Sequence, residues 1–161
     1  MIDAYLKIEG IPGESTAAGY EDQIEVVSFS HGVQQEVSIT ASSAGGATVG
    51  RSNHHDFSIT KETDKATPVL LQRCCQGTHI PAVTLTLVRA GGEKKVPFMV
   101  YTMTNVLISS VSYGASDSMP VETVTFNYGK IDWVYTQQKR KDGGGGGNTT
   151  GSWNVETNQA K

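Results

Sequence analysis

Residues His54 to Gly77, HHDFSITKETDKATPVLLQRCCQG, hold the one convincing helix in a chain that otherwise reads as strand after strand. Asp56-Phe57-Ser58-Ile59-Thr60 alternates as a strand does, and Lys61 to Lys65 reads as a charged turn. Thr67 and Pro68 then open a short apolar helix, Val69 to Cys75, which Gly77 stops. Proline suits a first helical turn because its missing N–H has no partner to lose there. Glycine just past the last turn takes the left-handed conformation that ends a helix. One small helix set against many strands describes a β-barrel or sandwich with a lid, and no segment carries the pattern of a catalytic centre.

A chain of 161 residues is expected to form one domain and to bury about two-thirds of its unfolded surface. Its net charge of −3 supplies no basic field for nucleic acid or anionic lipid. The first residues, MIDAYLKIEGIPG, have no basic start followed by an apolar run, so export is expected to need no cleaved leader. Cys74 and Cys75 are adjacent and cannot readily pair with ordinary disulfide geometry. Synthesis in a reducing compartment is the expectation.

Along the chain, Ala4 to Glu9 alternates as a strand, and Gln23 to Gln35 reads as one long strand with a bend at Gly32. Ala41 to Ser52, ASSAGGATVGRS, reads as a small, polar, glycine-rich loop with a single charge, Arg51. Such a loop is uncommon in a compact domain unless it contacts something. Ala82 to Val88, Val96 to Ser112 and Val121 to Thr136 give further strands, the last broken near Gly129. The count is seven to nine strands. Thr, Ser, Asn and Pro97 dilute Val96 to Ser112 below membrane-span hydropathy. Domain organisation is expected as a barrel over residues 1–136 and a flexible tail over 137–161. Gly143 to Gly147 reads as a linker, and Trp153 beyond it is expected to dock on the barrel or a neighbour.

The strands at Ala82 to Val88 and Val96 to Ser112 carry no charge on either face; their polar positions are Thr, Ser and Asn. A free monomeric barrel normally charges its exposed strands to block sheet-to-sheet association. Covered faces, or a face turned to a confined polar surface, are expected here, and an assembly of subunits provides both.

Candidate chemistry is sparse. His54 and Asp56 share a strand face, whereas His55 points away, and no further ligand lies at recognisable zinc spacing. Cys74 and Cys75 follow Leu70 and Leu71 by one turn, which favours packing over redox work. No G-x-S-x-G occurs, His31 and His79 have no partner legible in sequence, and Glu62 with Asp64 fits helix capping. Gly143 to Gly147 neither follows a strand nor ends in Gly-Lys-Ser/Thr, so it is no phosphate loop. No catalytic residue, metal ligand or cofactor is assigned.

These residues resemble a known family, the haemolysin-coregulated proteins (Hcp) of the bacterial type VI secretion system. After the AYLKIEG strand, Gly13-Glu14-Ser15 is similar to the family's G-E-S turn. IEVVSFSHG resembles its aromatic-Ser-aromatic-Gly strand, with His31 in place of the second aromatic. FSITKETDKATPVLL resembles the block F-x-x-x-K-x-x-D-x-x-[ST]-P-x-L. RAGGE, VLISSVS, ETVTFNYGKIDWVY and Trp153-Asn154 follow in the family's order.

The resemblance implies a mainly β barrel of two sheets with one short helix at the side, six copies closing into a ring. It implies rings that stack head-to-tail into the inner tube of a contractile injection machine, hold and chaperone effector proteins in the lumen, and are expelled on contraction. Ser28 and Ser30 are assigned to the effector-binding lumen. Ser42, Ser43, Gly45, Gly46, Thr48 and Arg51 are assigned to a ring-stacking loop. Partners are then the chain itself, secreted effectors, and the sheath and spike proteins of the machine, with no nucleic acid and no membrane insertion. The location is the bacterial cytoplasm before firing and the exterior afterwards. No enzymatic step is implied, and residues 137–161 are too few for a folded enzyme domain. One rival is a monomeric barrel that binds a small ligand in an apolar internal pocket. Another is a hydrolase built on His54 and Asp56.

Overall fold

The computed structural model describes residues 2–38, 48–91, 94–140 and 145–161. Their strands are β1 (Ile2–Ile8), β2 (Ile24–Val26), β3 (Ser28–Ser30), β4 (Val33–Ser38), β5 (Thr48–His54) and β6 (Phe57–Glu62). Helix α1 (Thr67–Gln76) follows, then β7 (Ile80–Gly91), β8 (Lys94–Gly114), β9 (Val121–Gln138) and β10 (Gly145–Asn154). Eight strands form one sheet in the order β2-β1-β7-β8-β9-β6-β3, with β10 added to β9, while β4 and β5 form a separate hairpin.

The stretch expected as one strand, Gln23 to Gln35, is three, and the break closes the barrel. β2 and β3 stand at opposite ends of the sheet order, yet only Val27 separates them in sequence. The Val27 N–H donates to the Thr60 carbonyl at 2.8 Å, so the two ends of the sheet meet at this one-residue step. Closure leaves neither end as an open edge.

Alternation fills the interior. Leu6, Ile8, Val83, Leu85, Phe57, Ile59, Val124 and Phe126 point inward and are buried with Leu70 of α1. On β8 and β9 the inward phase changes midway. Met103 and Val106 are both buried, as are Tyr128 and Ile131, because Asn105 sits at φ 54° opposite Gly129. A left-handed residue flips the side on which its strand's next side chain emerges, which asparagine tolerates better than most residues. The break expected near Gly129 is thus a change of facing inside a continuous strand.

The tail is also corrected. Gly145 to Asn154 is β10, running antiparallel to β9 with Trp153 opposite Ile131 and Gly151 opposite Trp133. Trp153 packs on the core, as a returning terminus requires. Glycine is a poor strand former alone, so the templating edge of β9 decides its conformation. Gly145 to Gly147 are therefore not a flexible linker.

The turn expected at Lys61 to Lys65 holds a buried ion-pair network. Lys61 and Glu122 are fully buried, and their Nζ and Oε1 atoms lie 2.6 Å apart. Lys61 Nζ also reaches Asp64 Oδ1 at 2.9 Å and the Glu62 carbonyl at 2.9 Å. Thr67 Oγ1 donates to Glu122 Oε1 at 2.8 Å and accepts the Asp64 N–H at 3.1 Å. Asp64 Oδ1 accepts the Ala66 N–H at 2.9 Å. The start of α1 is thereby tied to β6 and β9. Its end is the expected one, with Gly77 at φ 62° returning its N–H to Arg73 and Cys74 carbonyls. Beside the helix start, the Gly13-Glu14-Ser15 turn docks against Gln23, where any Cβ on Gly13 would strike backbone. Glu14 accepts the Lys65 N–H at 3.2 Å.

Lys61→Met leaves Glu122 buried without its counter-ion and is expected to cost about 3–5 kcal/mol. Adding Glu122→Leu should return most of that loss, because a matched apolar pair replaces both charges. Urea unfolding of the single and double variants decides it. A single variant within about 1 kcal/mol of the parent would mean the pair is not what holds α1.

Candidate functional site

The outer face of four adjacent strands, β3, β6, β9 and β8, carries a patch of hydroxyls, with the exposed carboxylate of Glu62 at its edge on β6. Ser28 and Ser30 are exposed on β3, with Phe29 between them turned to the core. Register places Ser28 beside Thr60 and Ser30 beside Ser58. Ser58 then lies beside Thr125, and Thr60 beside Thr123. On β8, Ser110 faces Thr125 and Ser112 faces Thr123. Two rows therefore cross the sheet, Ser30-Ser58-Thr125-Ser110 and Ser28-Thr60-Thr123-Ser112. Neighbouring hydroxyls bond one another, with Thr125 Oγ1 at 2.6 Å from Ser110 and 2.7 Å from Ser109. At one margin Asp56 accepts from Ser109 at 2.6 Å and from Asn127 at 3.1 Å. Lys61 and Glu122, within the segments that carry these rows, point inward and neutralise each other, while Lys130 and Asp132 lie farther along β9 as a pair 3.6 Å apart. Sequence reasoning named Ser28 and Ser30 but not the six hydroxyls aligned with them, because that alignment is a matter of register between distant segments.

The β4–β5 hairpin is the second feature. Of the stretch expected as loop, Ala41 to Ser52, residues 48–52 belong to strand β5, which pairs with β4 so that Val33 lies opposite His54 and Val37 opposite Val49. Thr48 and Arg51 thus belong to β5, and Arg51 is exposed. Ser42, Ser43, Gly45 and Gly46 lie outside the described residues. Val33, Val37 and Val49 are exposed. A cleft of about 410 Å³ separates the hairpin from the barrel, with Val33, Val49 and His54 on one side and Trp133 and Trp153 on the other.

At the base of the hairpin two histidines meet one phenol. His31 Nε2 lies 2.7 Å from the Tyr128 hydroxyl, and His54 Nδ1 lies 2.6 Å from the same oxygen. Burial, then the neighbouring imidazoles of His54 and His55, hold His31 below the usual histidine range. Burial lowers His54 in the same way. Burial and the Asp56 charge push the Tyr128 hydroxyl far up, so it stays protonated. His54 and Asp56 do not converge, since Asp56 turns to Ser109 and Asn127. His79 bonds Asn105 at 3.2 Å. Cys74 packs on the core and Cys75 is exposed.

The interior that a ligand-binding barrel would keep open is filled by Phe57, Phe126, Leu6, Leu85, Met103 and Ile131. Among the described residues no three His, Cys, Asp or Glu side chains gather as a metal site, and no helix is long and apolar enough to cross a membrane.

Comparison with known proteins fits this geometry. The family model described as type VI secretion system effector, Hcp, matches residues 5–135. Protein hcp1 of Pseudomonas aeruginosa (strain PAO1) is 36% identical over 159 residues, 98% of this chain and 97% of that protein. The Major exported protein of the same organism is 28% identical over 144 residues, 84% of this chain and 81% of its own length. A solved structure of a type six secretion system protein superposes with a TM-score of 0.91 at 30% identity, covering 100% of both chains. The chain belongs to the Hcp family of the type VI secretion system.

Proposed function

We propose that this chain is a tube subunit: six copies close into a ring, rings stack head-to-tail, and the lumen carries effector proteins that leave with the tube. The observation that carries this reading is the four-strand hydroxyl face. A sheet face of Ser and Thr stays hydrated, prefers neither sign of charge and offers both donors and acceptors. That suits a bore through which unlike cargoes pass. A large strand face this poor in charge on a free monomer would instead invite association. Closed rotational symmetry covers the remaining strand surfaces, and a head-to-tail contact between rings propagates without limit.

Ser28 and Ser30 contribute to the lumen surface, and the β4–β5 hairpin with Thr48 and Arg51, together with residues 42–46, contacts the next ring. Effectors, sheath and spike proteins are the proposed partners. The subunit waits in the bacterial cytoplasm and is expelled on contraction, in keeping with the name of the exported relative. The mechanism contains no chemical step: binding, stacking and release are reversible surface contacts.

Light scattering with negative-stain imaging of the same fraction should give the mass and outline of a six-subunit annulus. A monomer that persists at high concentration would overturn the ring. For the bore, Ser30→Arg introduces a long cation on an exposed position and should weaken effector retention roughly tenfold, about 1.4 kcal/mol, with rings intact. Unchanged retention would remove Ser30 from the cargo surface.

A further inference from the structure

His31 lies in the step between β3 and β4, and His54 is the last residue of β5. They occupy the two stems of the hairpin, whose own strands pair with each other and not with the main sheet. β4 is exposed along its whole length. Both imidazoles reach into the barrel wall to the hydroxyl of Tyr128, which is 5% exposed and fixed on β9. His31 also stacks on Phe57 with ring centres 5.1 Å apart. We propose that His31, Tyr128 and His54 form an acid-released latch that holds the β4–β5 hairpin in one pose against the barrel. Its consequence for ring stacking rests on the stacking role proposed for that hairpin.

Proton counting shows why acid should open it. A phenol owns one proton. With both imidazoles neutral, one ring N–H donates to the phenolic oxygen and the phenol donates to the other ring. Ser52 Oγ, 3.2 Å from His54 Nε2, can complete the second nitrogen. With one imidazole cationic the phenol still accepts from one ring and donates to the other. With both cationic, each ring donates, the phenolic proton has no acceptor in the cluster, and two like charges share one oxygen.

The surroundings do not relieve this. His55, beside His31, adds further positive charge when protonated and lowers His31. The Asp56 carboxylate is held by Ser109 and Asn127. Glu156, which approaches Gly129, is bonded to Asn105. Phe57, stacked on His31, and Val106, across from Tyr128, are neutral. Both histidines are held below the ordinary value of about 6.5. The latched state therefore binds protons less well than the open one. The latch is fully formed above that value and is lost as pH falls below it.

Hydrogen exchange of the full-length assembled protein at pH 7.5 and 5.0, corrected for intrinsic rates, reads the hairpin directly. Protection over 33–38 and 48–54 should fall roughly tenfold or more in acid, while the buried pairs of β8 and β9 stay unchanged as the folding control. Tyr128→Phe should leave the hairpin poorly protected at both pH values. His31→Phe leaves one imidazole, which the phenol can serve in either protonation state, so the acid step should shrink to the part that burial of His54 alone supplies. His54→Gln is a second variant with the same expectation. Equal wild-type protection at both pH values, or an acid step of undiminished size in the folded His31 or His54 variants, would overturn the latch. Sedimentation of stacked tubes under the same conditions separates the two readings. Hairpin opening without loss of tubes keeps the latch and removes the hairpin from stacking; loss of tubes with a protected hairpin removes the latch.

Discussion

The Lys61–Glu122 pair is the constraint on which the molecule's division into inside and outside depends. It sits where β6, β9 and the start of α1 meet, and both groups are buried. A buried charge is tolerated only when its remaining hydrogen-bonding capacity is met. Here Asp64 and the Glu62 carbonyl complete the ammonium, while Thr67 and Thr63 complete the carboxylate. Those partners lie within one short segment, so satisfying the charges also dictates the path of the chain from β6 into the helix. An apolar pair could match the stability but would not specify that path.

The same pair shapes the surface. Within the paired stretches Ser58–Lys61 and Glu122–Thr125, the charged residues Lys61 and Glu122 are both turned into the core. Their outward neighbours, Ser58, Thr60, Thr123 and Thr125, are left as hydroxyls. In a free barrel that arrangement would be a liability, since edge and face charges normally prevent sheets from adhering. In the proposed ring it is suitable: a face assigned to the bore needs solubility without a strong sign, and closure of the barrel at Val27 removes the exposed strand end that would otherwise recruit a stray partner.

Much of this was legible from the residues, and the failures have physical causes. The helix bounds were readable because Pro68 and Gly77 act locally, through a missing donor and a positive φ. The strands of β7 and β8 were readable from alternation. Lys61 was misread because Lys-Glu-Thr-Asp-Lys looks solvated in sequence, and its partner Glu122 is 61 positions away. Gln23 to Gln35 was read as one strand because Val27 is an ordinary strand residue; only the meeting of the two sheet ends makes it a step. Gly143 to Gly147 was read as a linker because glycine's intrinsic preference is against strand, while the edge of β9 that overrides it from Gly145 onward is a tertiary fact. The hydroxyl rows and the His31–Tyr128–His54 cluster are both products of register, which no single segment encodes.

His31 shows what a departure from the family's sequence pattern can do. At a position where that pattern has an aromatic, the imidazole keeps the flat packing against Phe57 and adds a nitrogen aimed at Tyr128. An aromatic ring alone would hold the stem by burial, which changes little between neutral and acid conditions. The imidazole makes the same contact conditional on its proton count. Because His54 independently reaches the same oxygen from the other stem, the two strands of the hairpin are joined through one atom of the barrel wall. A single titrating histidine would soften such a joint. Two that share one acceptor make it fail when both are charged, and this coupling, rather than either histidine alone, gives the hairpin a defined latched pose and a defined way to leave it.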